Sequence, residues 1–206
     1  MAPYLQTIPP NMEVLQKALT WKEFHQLEFD DNDPFWYELI NGEIVRKQSP
    51  TLSHQAVSRE IEYQLVSWNK QTKAGVVFHA PLDVVLDDGN CYQPDILFIK
   101  KERFFIQDEK EQIIIGAPDL VVVILSKSSA SNDKGIKKDT YEIHGVREYW
   151  LVDPVRKSIE VYALKDERYR LVGYYEEEGV LKSTVLEGFE MGVAKVFEYK
   201  LKRQLL

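Results

Sequence analysis

The chain has 206 residues, 44% hydrophobic and 29% charged, which suffices for one domain with its own core. Its single cysteine, Cys91, excludes an internal disulfide and a multi-cysteine zinc site. A net charge of −7 argues against a protein that coats nucleic acid indiscriminately, while leaving room for an enzyme with a local basic patch.

Residues 1–19 read as a loose arm, because Pro3, Pro9 and Pro10 interrupt regular hydrogen bonding. No basic and apolar leader opens the chain, and its longest apolar run, 120–125, is far shorter than a membrane span. A cytoplasmic protein without membrane contact is therefore expected. Thr20-Trp21-Lys22-Glu23 is a capping-box pattern that predicts a short helix carrying Phe24 and Leu27 inward. The cluster Asp30, Asp31, Asn32, Asp33 and Pro34 breaks it. Residues 35–40 and 43–48 read as antiparallel strands joined by Asn41-Gly42, since a type I′ turn needs positive φ at both central residues. Ser49-Pro50 is expected to open a long helix, with Val57, Ile61, Leu65 and Trp68 forming one apolar stripe and Gly75 ending it.

Strands are expected at 76–79, 82–86 and 95–100, with a turn over 87–90 between the last two. The run 120–125 is apolar at every position, as in a central strand covered on both faces. A polar loop over 126–131 leads to a helix over 132–143, closed by Gly145. Residues 147–152 and 158–164 read as a hairpin across Asp153-Pro154, residues 168–190 as further hairpin strands, and 197 onward as a short terminal helix. The fold class is α/β (α+β), a mixed β-sheet with the helices at 50–74 and 132–144 on opposite faces. The divisions are an arm at 1–19, a domain at 20–190 and a tail at 191–206.

Four constellations carry potential chemistry. Gln93-Pro94-Asp95 puts a carboxylate at a strand entrance, suited to Mg²⁺ or Mn²⁺ but equally common in turns. Pro118-Asp119 repeats the pattern before the apolar strand, where a core strand is the better reading. Asp133, Lys137 and Tyr141 share one helical face. As a surface pair, Asp133 and Lys137 would contribute at most a few tenths of a kcal/mol. Lys127, Lys134, Lys137 and Lys138 leave a local positive surplus that could meet phosphate, although such runs are usually solvated. Finally, Glu38 stands in an apolar strand, and His54 in the first helical turn could reach a metal or orient a carboxylate.

In their order along the chain, Tyr37-Glu-Leu-Ile-Asn-Gly-Glu43, Ser53-His-Gln55, Ala80-Pro-Leu-Asp-Val84, Gln93-Pro-Asp95, Gly116-Ala-Pro-Asp-Leu120, Asp133…Lys137…Tyr141 and Gly145-Val-Arg-Glu-Tyr-Trp-Leu-Val-Asp-Pro154 resemble a known family. It is the putative restriction endonuclease family, abundant in cyanobacteria, of the PD-(D/E)XK nuclease superfamily. The resemblance spans roughly residues 20–190. It implies a restriction-endonuclease-like fold and Mg²⁺-dependent hydrolysis of DNA. Asp95 would be a metal ligand, Lys137 the lysine that stabilises developing negative charge, and Glu38 and His54 would stand beside the cleft, with Glu38 a second metal ligand. Lys127, Lys134 and Lys138 are the expected nucleic-acid contacts. Pairing as a homodimer is also implied, with Tyr174-Tyr175 and the segment from Phe197 as candidate contacts.

One departure matters. The family's strand usually carries Glu where this chain has Val123, and valine neither binds a cation nor accepts a proton. Loss of that carboxylate should weaken a Mg²⁺ site severely unless Glu38, Asp83 or Asp119 substitutes. Two readings therefore stand together: a Mg²⁺-dependent endonuclease, impaired by Val123, and an inactive nuclease fold that binds nucleic acid or a protein.

Overall fold

Six consecutive apolar residues have no polar face to turn outward, so the strand they form needs cover on both sides. The computed structural model describes residues 18–29, 35–126 and 129–199. Helix α1 (Trp21–His25) precedes the hairpin β1 (Trp36–Ile40) and β2 (Glu43–Lys47). The long helix α2 (Leu52–Thr72) leads into β3 (Gly75–His79), β4 (Val84–Asp87), β5 (Asn90–Tyr92) and β6 (Ile96–Lys100). After a 3-10 turn come β7 (Gln107–Asp108), β8 (Ile113–Ile115) and the apolar strand β9 (Leu120–Ile124). Helices α3 (Ala130–Lys134) and α4 (Ile136–Ile143) precede β10 (Glu148–Asp153), β11 (Ser158–Lys165) and β12 (Arg168–Glu176). Strands β13 (Val180–Lys182) and β14 (Glu190–Gly192) and helix α5 (Val193–Phe197) complete the described chain.

The central sheet is mixed, in the order β12-β11-β10-β9-β6-β3. Strand β9 runs parallel to β10 and antiparallel to β6. Its alternate residues feed two cores. Leu120, Val122 and Ile124 pack with Val57, Ile61 and Leu65 of α2, while Val121 and Val123 pack with Tyr141 of α4 and Tyr149 of β10. Helices α2 and α4 thus flank the sheet on opposite faces, as expected from the order of the elements. A second six-stranded sheet, β2-β1-β5-β4-β8-β7, closes over the α4 side through Ile40, Val84, Tyr92 and Ile114. No helix among the described residues is long and apolar enough to cross a membrane.

Several boundaries depart from the sequence reading for identifiable reasons. The N-cap of α2 is Thr51, whose hydroxyl accepts from the His54 N–H, so Pro50 stands outside the helix. Lys73 takes the left-handed cap of α2 at φ 53°, and Gly75 instead starts β3. The helix expected over 132–143 is two helices, broken at Gly135, whose ψ of −106° is not helical. The short strands β5, β7 and β8 carry too few residues to show a period, and no reading of the sequence found them. The packed body runs past residue 190, because Met191, Val193, Val196 and Phe197 are buried in the same core as α2. Helix α5 lies at 193–197, and the terminal helix expected from 197 onward falls, beyond Tyr199, outside the described residues. Most of the expected arm and the last residues of the tail lie outside the described residues.

Asn41 and Gly42 have φ of 51° and 77°, as the hairpin turn demands. In β12, a bulge leaves Val172 unpaired, since Tyr162 pairs with Leu171 and Val161 with Gly173. Gly75 is required by close approach: a Cβ there would meet the Ile99 carbonyl oxygen at 2.1 Å and the Phe98 ring at 2.6 Å. Gly75→Ala is therefore expected to cost about 3 kcal/mol of stability, read as a fall in the midpoint of denaturant unfolding. An unchanged midpoint would contradict that approach.

Candidate functional site

Strand β1 alternates its side chains, which puts Glu38 on the face shared with Ile40 and turned toward the second core. A carboxylate there needs compensation, since burial of an unpaired charge is prohibitive. Three donors supply it. The Lys137 ammonium lies 3.0 Å from both Glu38 oxygens, Lys47 Nζ is 3.3 Å from Oε1, and the Gln93 backbone N–H donates to Oε1 at 2.8 Å. Lys137 also meets Asp133 at 3.2 Å, across the break between α3 and α4. Two ammonium groups and two carboxylates thus form a neutral network in which Glu38, Asp133 and Lys137 are each no more than 2% exposed. The surface ion pair expected of Asp133 and Lys137 is instead buried, because their helical face turns inward with Tyr141.

Burial pushes the Glu38 carboxyl up, but Lys137, Lys47 and the Gln93 N–H outweigh it and hold the group below its ordinary value. Burial pushes Lys137 down, and the Glu38 and Asp133 carboxylates more than reverse this, raising it above the usual ammonium range.

Asp95 stands just before β6. Its Oδ2 accepts from the Ile124 backbone N–H at 2.6 Å, and its Oδ1 lies 3.1 Å from His54 Nε2. Burial again acts upward, but the His54 contacts, Lys47 and the Ile124 N–H keep Asp95 below its ordinary value. The Thr51 cap fixes His54 in the first turn of α2, opposite this carboxylate.

Asp95, His54, Lys137, Lys47, Asp133 and Val123 all line one cleft of about 1020 Å³ between the start of α2 and the C-terminal end of β9. Glu38 sits in the floor just below. The four residues singled out from the sequence for catalysis therefore converge. The expected nucleic-acid contacts do not. Lys134 and Lys138 are absent from the cleft lining, and Lys138 Nζ lies 3.5 Å above the Tyr162 ring. One residue along a helix turns the side chain by roughly 100°, so Lys138 cannot share the buried face of Lys137. Lys127 lies outside the described residues. Lys47 and Arg59, both in the cleft wall, were not found from the sequence; Lys47 only becomes meaningful once β2 pairs with β1.

The donors do not fit a Mg²⁺ ion. Among the described residues no group of three His, Cys, Asp or Glu side chains is arranged to hold a metal. Glu38 faces two ammonium groups, which repel a dication, and both Asp95 oxygens are already engaged. Val123 presents only methyl groups. Of the other possible substitutes, neither Asp83 nor Asp119 reaches the cleft lining. Asp83 accepts from the Gln93 side chain at 2.7 Å, and Asp119 is buried between Arg103 and Arg147 at 3.2 and 3.3 Å.

A mixed sheet with an acidic strand entrance and a lysine helix beside it is the architecture of a nuclease-like fold. It is shared with a solved structure titled as a putative nuclease belonging to DUF820 from Anabaena variabilis ATCC 29413, with a TM-score of 0.69 and 24% identity over 87% of this chain and 97% of that one. The chain belongs to the Uma2 family, described as "Putative restriction endonuclease", whose model matches residues 21–194. No curated protein matches it.

Replacing Lys137 by Met strands Asp133 and weakens the compensation of Glu38, so it is expected to cost about 3–5 kcal/mol, measured by denaturant unfolding. Glu38 and Asp95 both have native values below their unfolded references of 4.5 and 3.8. Their contribution is thus present above those references and lost as the pH falls through the native values. Unfolding midpoints recorded from neutral pH into acid should decline below about pH 4.5, and Glu38→Gln should flatten that decline. An identical slope in the variant would remove Glu38 as its source.

Proposed function

We propose that the chain is a DNA-binding protein of PD-(D/E)XK nuclease ancestry whose Mg²⁺-dependent hydrolysis is impaired. The observation that carries this reading is Val123: it stands in the wall of the cleft beside Asp95 and Lys137, where the resemblance calls for a second carboxylate. In this reading a DNA phosphate meets Arg59 in the cleft, and the site binds better than it cuts. The carboxylates of Asp95 and Glu38 already face His54 and Lys137, groups of the chain itself that occupy the oxygens a cation would need, which supports binding over hydrolysis. A cytoplasmic setting suits such a ligand. Two copies meeting through side chains such as the half-exposed Tyr174 of β12 are compatible with it.

The test pairs cutting with binding. Wild type should leave supercoiled plasmid intact in Mg²⁺ or Mn²⁺, and Mn²⁺ should not raise its melting temperature. Val123→Glu should gain Mn²⁺-dependent stabilisation, as linkage requires of a ligand that binds only the folded state, and with it detectable nicking. Strong, Asp95-dependent cleavage by the wild type would overturn the impairment.

A further inference from the structure

The cleft has one furnishing that the charge chemistry leaves unused. Trp36 begins β1 on the same face as Glu38, directly across from Lys47, and lines the cleft with Lys47 and His54. It is 45% exposed. The other tryptophans have work elsewhere: Trp150 is fully buried, Trp68 packs edge-on against Phe98 and Phe189, and Trp21 stacks on His25. Among the described residues the Trp36 indole has no ring partner and no hydrogen bond. A large apolar ring held in solvent beside a polar floor is a contact surface.

The electrostatics narrow what it would contact. Each carboxylate in the lining is already matched: Asp95 by His54, Asp133 by Lys137, and Glu62 by His79 at 3.9 Å. Lys47 and Lys137 are committed to Glu38. Arg59 is the lining cation without an ion pair among the described residues. Duplex DNA offers phosphates and groove edges, so tight binding of a duplex needs many uncommitted cations. An acidic chain with one such guanidinium in its cleft provides few. An unpaired strand also offers the faces of its bases, and each base stacked on an indole adds about 1–3 kcal/mol beyond what the phosphate contacts supply. Pro50, Pro81 and Val155 extend the apolar part of the same lining.

We infer that Trp36 is the base-stacking platform of the cleft and that its ligand is unpaired, single-stranded DNA. This rests on the DNA-binding reading above and specifies the class of DNA. Direct titration of the full chain with a labelled oligodeoxythymidylate, a blunt duplex of equal length and an oligouridylate tests it. The single DNA strand should bind about tenfold or more tightly than the duplex. Trp36→Ala should weaken single-strand binding by roughly 5- to 100-fold and duplex binding by a smaller factor, and Trp36→Phe should retain most of both. Arg59→Ala should weaken both DNA forms and lower the salt dependence. Equal or tighter binding of duplex, or unchanged single-strand binding in Trp36→Ala, overturns the inference while a duplex affinity sensitive to Arg59 leaves the broader reading standing. Tighter binding of the uridylate overturns the assignment to DNA. No binding of any of the three overturns both.

Discussion

The buried contact between Lys137 and Glu38 is the constraint around which this molecule is arranged. Lys137 comes from α4, Glu38 from β1, Lys47 from β2 and Asp133 from α3, so one cluster of charges pins the helical layer to the second sheet. Buried ion pairs of this kind add little net stability relative to a well-packed apolar alternative, yet cost several kcal/mol to break. Their consequence is specificity of arrangement. Any register shift of β1 by one residue would carry Glu38 to the opposite face and leave Lys137 without its main partner. The break at Gly135 belongs to the same arrangement, because Asp133 and Lys137 keep their contact across it.

The same neutrality explains the character of the cleft. Closely spaced carboxylates usually require a cation to offset their mutual repulsion. Here Glu38 and Asp133 are offset by two lysines, Asp95 by His54 and a backbone N–H, and position 123 contributes methyl groups to the core with Tyr141. The carboxylates of the site are therefore offset by groups of the chain itself.

What the sequence made legible was local or periodic. The apolar run at 120–125, the Thr20 capping box and the Asn41-Gly42 turn each specify their own geometry through neighbouring residues. Glu38, His54, Asp95 and Lys137 could be named because family resemblance links them, although spacing alone never brings residues 38 and 137 together. The pairing of Glu38 with Lys137, the part played by Lys47 and the diversion of Lys138 to Tyr162 depend on how distant elements pack, which no local pattern encodes. The strands of two or three residues, and the shift of the αL cap from Gly75 to Lys73, were hidden for the same reason. Gly75 is demanded by a backbone twenty-four residues further on, at Ile99, rather than by the helix it follows.

The edge strand β12 would be a hazard in a flat sheet. It is nine residues long and exposes Leu171, Val172 and Tyr174. The bulge at Val172 interrupts the even spacing of backbone donors and acceptors that an incoming strand would need to continue the sheet. A single extra residue thereby guards the chain against edge-to-edge aggregation, and its protection comes from the backbone alone, independent of the ionic strength that weakens charged gatekeepers.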